Sequence, residues 1–195
     1  MTLINWLLAA TGFTGALTLV FLVHRVRRWL AAPASADVYF SPKGGCTDAI
    51  LREINAARHE VLVQAYSFSS KPIAEALIAA KKKGVRVELL LDHSNEQEEY
   101  SDLHLFIEAG LNPLVDAKHP IAHNKVMIVD KRTIITGSFN FTQQAEQHNA
   151  ENLVVLKGHP ELVGAYLAAF EAHKAHCQAP QVKVQAAKDH HRKAA

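Results

Sequence analysis

The stretch His123-Asn124-Lys125-Val126-Met127-Ile128-Val129-Asp130-Lys131-Arg132-Thr133-Ile134-Ile135-Thr136-Gly137-Ser138-Phe139-Asn140 holds two apolar runs separated by three charged residues. Residues 125–129 and 133–136 read as strands, with a turn near Lys131-Arg132. Along a strand, side chains two apart share a face, so His123 and Lys125 project together. An imidazole beside an ammonium suits a phosphate: one attacks or carries a proton, the other offsets charge. The return strand delivers Gly137, where backbones can approach closely. Ser138 and Asn140, again two apart, add hydroxyl and amide donors. Neighbouring strands lie about 5 Å apart, so both pairs can meet on one anion. Spacing alone also leaves open a solvated hairpin with incidental polar residues.

Outward from this hairpin, strand and helix patterns alternate. Val38-Tyr39-Phe40 reads as a short strand ended by Ser41-Pro42 and Gly44-Gly45, and residues 47–58 carry Ile50, Ile54 and Ala57 at helical spacing. Residues 60–68 read as a buried strand. Residues 71–83 form a helix pattern with Ile73, Leu77 and Ala80 on one face and Gly84 closing it. A strand over 85–91 and a helix over 100–109 precede the hairpin; a strand over 152–156 and a helix over 161–175 follow it. The order βαβαβ, then strands in quick succession, predicts an α/β sandwich with a mixed central sheet flanked by helices.

At 195 residues the chain has room for one domain and an appendage. Its 49% apolar and 21% charged content excludes collagen-like, low-complexity and wholly disordered classes. The net charge of +2 conceals +3 over residues 1–36, −4 over 37–180 and +3 over 181–195. A mildly acidic middle argues against a broad basic nucleic-acid surface, so any polyanion site is local. Cys46 and Cys177 lack the spacing of a zinc site made by cysteines alone; they can pair as a disulfide or remain thiols.

Residues 3–23 carry no charge. As a helix this run is about 30 Å long, enough to span a bilayer core. Trp6 lies near one end, and Arg25, Arg27, Arg28 and Trp29 lie past the other, where headgroups favour them. Residues 1–30 are thus expected to be a transmembrane anchor, with a cleaved signal sequence as the alternative, since Ala34-Ser35-Ala36 fits a cleavage site. The basic cluster follows the apolar run rather than preceding it, which favours the anchor and places the remaining chain on the cytoplasmic side. Cleavage would instead make the protein periplasmic or secreted. Residues 31–36 read as a linker, 37–178 as the soluble domain and 179–195 as a basic flexible tail.

The hairpin resembles a known signature. His123-x-Lys125-x4-Asp130-x6-Gly137-Ser138, with Asn140 downstream, is similar to the HKD motif of the phospholipase D superfamily. Glu151 with Asn152 resembles the acidic residue after the motif in the small bacterial Nuc-type endonucleases of that group. Ala65-Tyr66-Ser67-Phe68, Lys81-Lys82-Lys83-Gly84 and the strand leading to Asp92 extend the likeness over residues 37–175. A single motif after an N-terminal membrane segment also resembles the mitochondrial cardiolipin-hydrolase-like branch. The resemblance implies a phospholipase D-like fold and phosphodiester hydrolysis. In that reading His123 is the nucleophile that forms a phosphohistidine, and the same residue of a second copy is the acid and then the base. One motif per chain then requires a homodimer with the active site at the two-fold interface. Lys125 and Asn140 would bind phosphate oxygens, Ser138 would hydrogen-bond within the site, and Glu151 would fix a histidine tautomer. Asp130 is expected to be structural, since it leaves the His123/Lys125 face. No cofactor and no metal are implied.

The favoured substrate on these grounds is DNA or RNA, with a cardiolipin-type phospholipid as the alternative and a catalytically idle dimeric membrane adaptor as the third. The intact His123, Lys125 and Asn140 speak against the last. Lys81-Lys82-Lys83 and the acidic loop at Glu96, Glu98 and Glu99 read as solvated surface, and His190-His191 as part of a solvated terminus. His93, His104, His119 and His148 are expected to be surface or internally satisfied side chains. Of these, His119 and His148 lie closest to the motif.

Overall fold

The computed structural model describes residues 33–97 and 101–181, together with Phe21. Apart from Phe21, the expected membrane helix over residues 3–23 lies outside the described residues, as do Glu98, Glu99 and the charged part of the tail. No helix among the described residues is long and apolar enough to cross a membrane. The folded unit that carries the motif starts at Ala36.

Its elements are β1 (Ser35–Phe40), α1 (Cys46–Ala56), β2 (Glu60–Ala65), β3 (Phe68–Ser69), α2 (Lys71–Lys82), β4 (Arg86–Asp92), a 3-10 turn (His93–Glu96), α3 (Leu103–Glu108) and β5 (Leu114–Asp116). Then come β6 (Lys125–Val129), β7 (Thr133–Gly137), β8 (Phe141–Thr142), α4 (Gln143–Gln147), β9 (Asn152–Lys157) and α5 (Pro160–Lys174). Seven strands form one sheet in the order β1-β9-β7-β6-β2-β4-β5. β2, β4 and β5 run parallel, while β6 is antiparallel to β2, β7 to β6 and β9 to β7. β3 and β8 pair separately, in parallel. The sheet is mixed, as the strand spacing implied.

Alternation along the strands divides the sheet into two faces. Val61, Val63, Leu89, Leu91, Met127, Ile135, Leu153 and Val155 face the larger core. Over them lie Ala49, Ile50 and Ile54 of α1 and Ile73, Ala74 and Leu77 of α2, where Ile50 and Ile54, and Ile73 and Leu77, are four residues apart and so on one helix stripe. Truncating one such residue, Leu77→Ala, is expected to cost about 2–5 kcal/mol, from lost burial plus the cavity left behind. On the opposite face Leu62, Leu90, Val126 and Ile128 pack under Phe170 of α5. Pro72 in the first turn of α2 has no N–H to leave unsatisfied, and Gly84, at φ 90°, turns the chain out of that helix.

The β6–β7 turn is fixed by Asp130. It adopts φ 51° and its carboxylate accepts the backbone N–H groups of Arg58 (2.9 Å), His59 (2.8 Å) and Glu60 (2.9 Å). Burial raises its pKa, but those three donors outweigh burial and hold the carboxyl below its ordinary value. The hairpin is thereby stitched to the start of β2.

Several local expectations change. The strand expected over residues 60–68 stops at Ala65, and the helix expected from residue 100 starts at Leu103. β5, β8, α4 and the 3-10 turn were not anticipated, because elements of two to five residues are too short to show a period. Both cysteines are free thiols, Cys46 buried and Cys177 partly so.

Candidate active site

The strand register gathers the site at one end of the sheet. Ala65, the last residue of β2, pairs with Lys125, the first of β6. Gly137, the last of β7, pairs with Leu153 beside the start of β9. His123, Lys125, Ser138, Asn140 and Glu151 therefore emerge at this end, as do the carboxyl ends of β2, β4 and β5, where open α/β sheets bind ligands. Asp130 lies at the other end of the hairpin.

The structure corrects how the motif is presented. β6 starts at Lys125 and β7 ends at Gly137, so His123, Ser138 and Asn140 lie just outside the strands. His123 is exposed, while Lys125 is buried at 6% exposure. The two are coupled through Tyr66, whose ring centroid lies 4.6 Å from that of His123 and 5.0 Å from Lys125 Nζ. Lys125 Nζ also donates to the His123 carbonyl at 2.9 Å. Burial lowers the Lys125 pKa, opposed by the charges of Glu151 and Asp92. The result is a desolvated ammonium against an aromatic face, where its attraction for a phosphate oxygen is little screened.

Gly137 is required by close approach. A Cβ there would lie 2.2 Å from the Asn152 carbonyl oxygen. Beyond it, Ser138 Oγ accepts from Asn152 N at 3.1 Å and Asn152 Nδ2 at 3.3 Å. Phe139 and Phe141 are fully buried on either side of Asn140, and Thr142 N donates to the Asn140 carbonyl at 2.7 Å. Asn140 Oδ1 is buried with no hydrogen-bond partner among the described residues. Glu151 is anchored by its backbone to Ser41, and its Oε1 accepts from Asn149 Nδ2 at 3.2 Å.

Two positioning residues escaped the sequence reading. Asp92, 1% exposed, accepts Ala122 N at 2.6 Å through Oδ2 and Ser94 N at 2.9 Å through Oδ1, which holds the segment entering His123. Tyr66 is held from both sides: its N–H donates to the Asn124 carbonyl at 3.0 Å, and its own carbonyl accepts from Asn95 Nδ2 at 2.6 Å. The available signal was position, since Tyr66 directly follows β2, the neighbour of β6, and Asp92 ends β4, one strand further out. His119 does not join this group; it lies with Asp116, His173 and His176.

A mixed sheet between helices, with this motif at the strand ends, defines the class: phosphodiesterases of the phospholipase D superfamily. The family model described as "Cardiolipin synthase, PLD-like domain" matches residues 50–174, and the chain belongs to that family. It is 43% identical over 136 residues to a phospholipase D of Rickettsia bellii, covering 70% of this chain and 67% of that one. Across the Rickettsia relatives the match spans 64% to 67% of their length. Identity to the mitochondrial cardiolipin hydrolase of Homo sapiens is 30% over 202 residues, covering 86% of this chain and 79% of that one. The crystal structure of Nuc from Salmonella typhimurium, a phospholipase D family member, matches with a TM-score of 0.72 and 35% identity, covering 75% of this chain and 98% of Nuc.

Proposed function

We propose that the protein is a homodimeric phosphodiesterase acting through His123, with a polynucleotide as its favoured substrate. The coupled trio His123, Tyr66 and Lys125 carries this reading: an exposed imidazole beside a buried, desolvated ammonium. The His123 ring attacks phosphorus, forming a P–N bond as the P–O bond to the leaving group breaks. His123 of the second copy protonates the departing oxygen, then takes a proton from water. That water attacks phosphorus, and the P–N bond breaks. Lys125 Nζ and the Asn140 side-chain NH2 donate to the non-bridging oxygens. Ser138 orients the Asn152 backbone beside them, and Glu151 fixes a histidine tautomer, its own or the partner's.

A polynucleotide is favoured by the likeness to the small bacterial endonucleases and by the match to Nuc, almost all of which this chain covers. A second reading, phospholipid hydrolysis at a membrane, is supported by relatives named phospholipase D and mitochondrial cardiolipin hydrolase and by Ile121, 59% exposed two residues from His123. The uncharged run at residues 3–23 and the basic residues after it support a membrane anchor that would hold the domain on the cytoplasmic side.

The test is an assay of the full chain in detergent on single- and double-stranded DNA, RNA and cardiolipin vesicles. Cleavage of polynucleotide that disappears in His123→Asn is expected; cleavage of lipid alone would reverse the substrate assignment. Because each site needs two histidines, mixing wild type equally with His123→Asn and letting subunits exchange should give about a quarter of the activity of wild type at the same total concentration. Retention of half would refute the shared site.

A further inference from the structure

Four side chains outside the phosphodiesterase site converge at the β5 edge of the sheet. Asp116 ends β5 and His119 follows it by three residues; His173 lies in the last turn of α5 and His176 three residues beyond. The two segments are joined by a reciprocal backbone bridge, Val115 N to the Gln178 carbonyl at 2.8 Å and Gln178 N to the Val115 carbonyl at 3.0 Å. Paired ligands three apart, on two segments held side by side, form the frame of many four-coordinate metal sites.

Atomic detail supports that reading. Asp116 Oδ2 lies 2.9 Å from His119 Nδ1, 3.2 Å from His173 Nδ1 and 3.2 Å from His176 Nε2. One potential ligand atom from each residue lies within 4.8 Å of the other three. A tetrahedral zinc ion with bonds of about 2.0–2.2 Å sets its ligands roughly 3.3–3.5 Å apart, so only small inward shifts are needed. The other oxygen, Asp116 Oδ1, accepts the N–H groups of Lys118 (3.0 Å) and His119 (3.2 Å), which aims Oδ2 into the cluster. Without a cation, three imidazoles would all have to donate to that single oxygen, which offers two lone pairs. With one, each ring turns a nitrogen lone pair inward and keeps its proton on the opposite nitrogen. Access is open, since His119 is 42% exposed while Asp116 is only 4% exposed.

We propose that Asp116, His119, His173 and His176 form a binding site for one divalent transition metal, zinc by ligand type. Three imidazoles and a carboxylate fill the coordination sphere, which makes the ion structural rather than catalytic. It fastens α5 to the end of β5 at the root of the segment that runs through Ala122 into His123. The proposal stands independently of the phosphodiesterase reading.

The experiment uses the full chain in detergent, with His190 and His191 replaced by alanine so that the tail binds nothing, stripped with EDTA and dialysed. Zinc chloride titrated against a chromogenic chelator should fill one site per chain and raise Tm by several degrees. Cobalt(II) should give the visible absorption of a tetrahedral complex. His119→Ala and His176→Ala should each weaken zinc binding at least about 100-fold. His104→Ala, an exposed histidine elsewhere, should change nothing. Apo-state melting and circular dichroism equal to the parent establish that the variants fold. Failure to bind zinc more tightly than about 10 µM, or full binding retained in the double variant His119→Ala/His176→Ala, would overturn the proposal.

Discussion

Removing the carboxylate of Asp130 tests whether the third letter of the motif serves chemistry or folding. Its oxygens accept three backbone N–H bonds, two at Oδ1 and one at Oδ2. Hydrogen bonds to a charged group are worth about 1.5–3 kcal/mol each when buried, and less where solvent competes, as at Arg58 and His59. Taking about 1 kcal/mol apiece, Asp130→Ala should lose about 3 kcal/mol, or about 6–12 °C in Tm for a domain of this size. Asp130→Asn keeps the Oδ1 acceptor and tolerates φ 51°, but it turns an amide donor toward the Arg58 N–H. It should lose about 1–2 kcal/mol. The carboxyl is held below its ordinary value in the folded state, so its contribution is complete above the unfolded pKa and is lost as pH falls through the folded one. The gap between wild type and Asp130→Asn should therefore begin to narrow as pH falls below about 4. Denaturant unfolding at pH 7 and pH 3.5, with turnover measured well below Tm, checks this. Turnover within about twofold of wild type is expected, because Asp130 lies at the far end of the hairpin. A variant with unchanged Tm and abolished turnover would refute the reasoning.

Three further outcomes follow from particular contacts. Gly137→Ala would drive a Cβ to 2.2 Å from the Asn152 carbonyl; the strands must part there, costing about 2–4 kcal/mol and misplacing Ser138, so chemical denaturation and turnover should fall together. Asp102 has its carboxyl pushed up to about 6, by burial first and then by Glu75, with Lys71 opposing. Since the folded state holds this proton more tightly, stability should decline as pH rises from about 4 to 6, and Asp102→Asn should gain about 1 kcal/mol at pH 7.5, after allowance for partial exposure, and nothing at pH 4. Tyr66→Leu removes the face shared by His123 and Lys125, so kcat should fall by at least about tenfold with a Tm change of only a few degrees; a kcat equal to wild type would remove Tyr66 from the site.

The long elements were legible because each buries a single face. Ile50 and Ile54, then Ile73 and Leu77, announce helices, and the runs around Val61–Leu62–Val63 and Val126–Val129 announce central strands. The motif residues were equally plain, since chemistry demands particular side chains at fixed spacing. Geometry just outside the strands was not: period-two reasoning extended β6 back to His123 and β7 forward to Asn140, although the ladder supports neither. Tyr66 and Asp92 matter through contacts across strands that are distant in sequence, and no local pattern carries that information. His173 and His176 illustrate the same limit. A spacing of three within a helix is visible, but Asp116 and His119 become their neighbours only when Gln178 pairs with Val115.

The position of β2 between β4 and β6 sets the order in which activity can arise during folding. β6 and β7 are joined by a tight turn and can pair early, at small loop-closure cost. β2 meets β6 only through contacts such as Val61 with Val129, far apart in sequence, whose closure must bring together a long intervening segment. Tyr66 cannot reach His123 and Lys125 until that closure occurs. A nascent or partly unfolded chain therefore carries the complete motif while His123 and Lys125 still lack the Tyr66 ring between them.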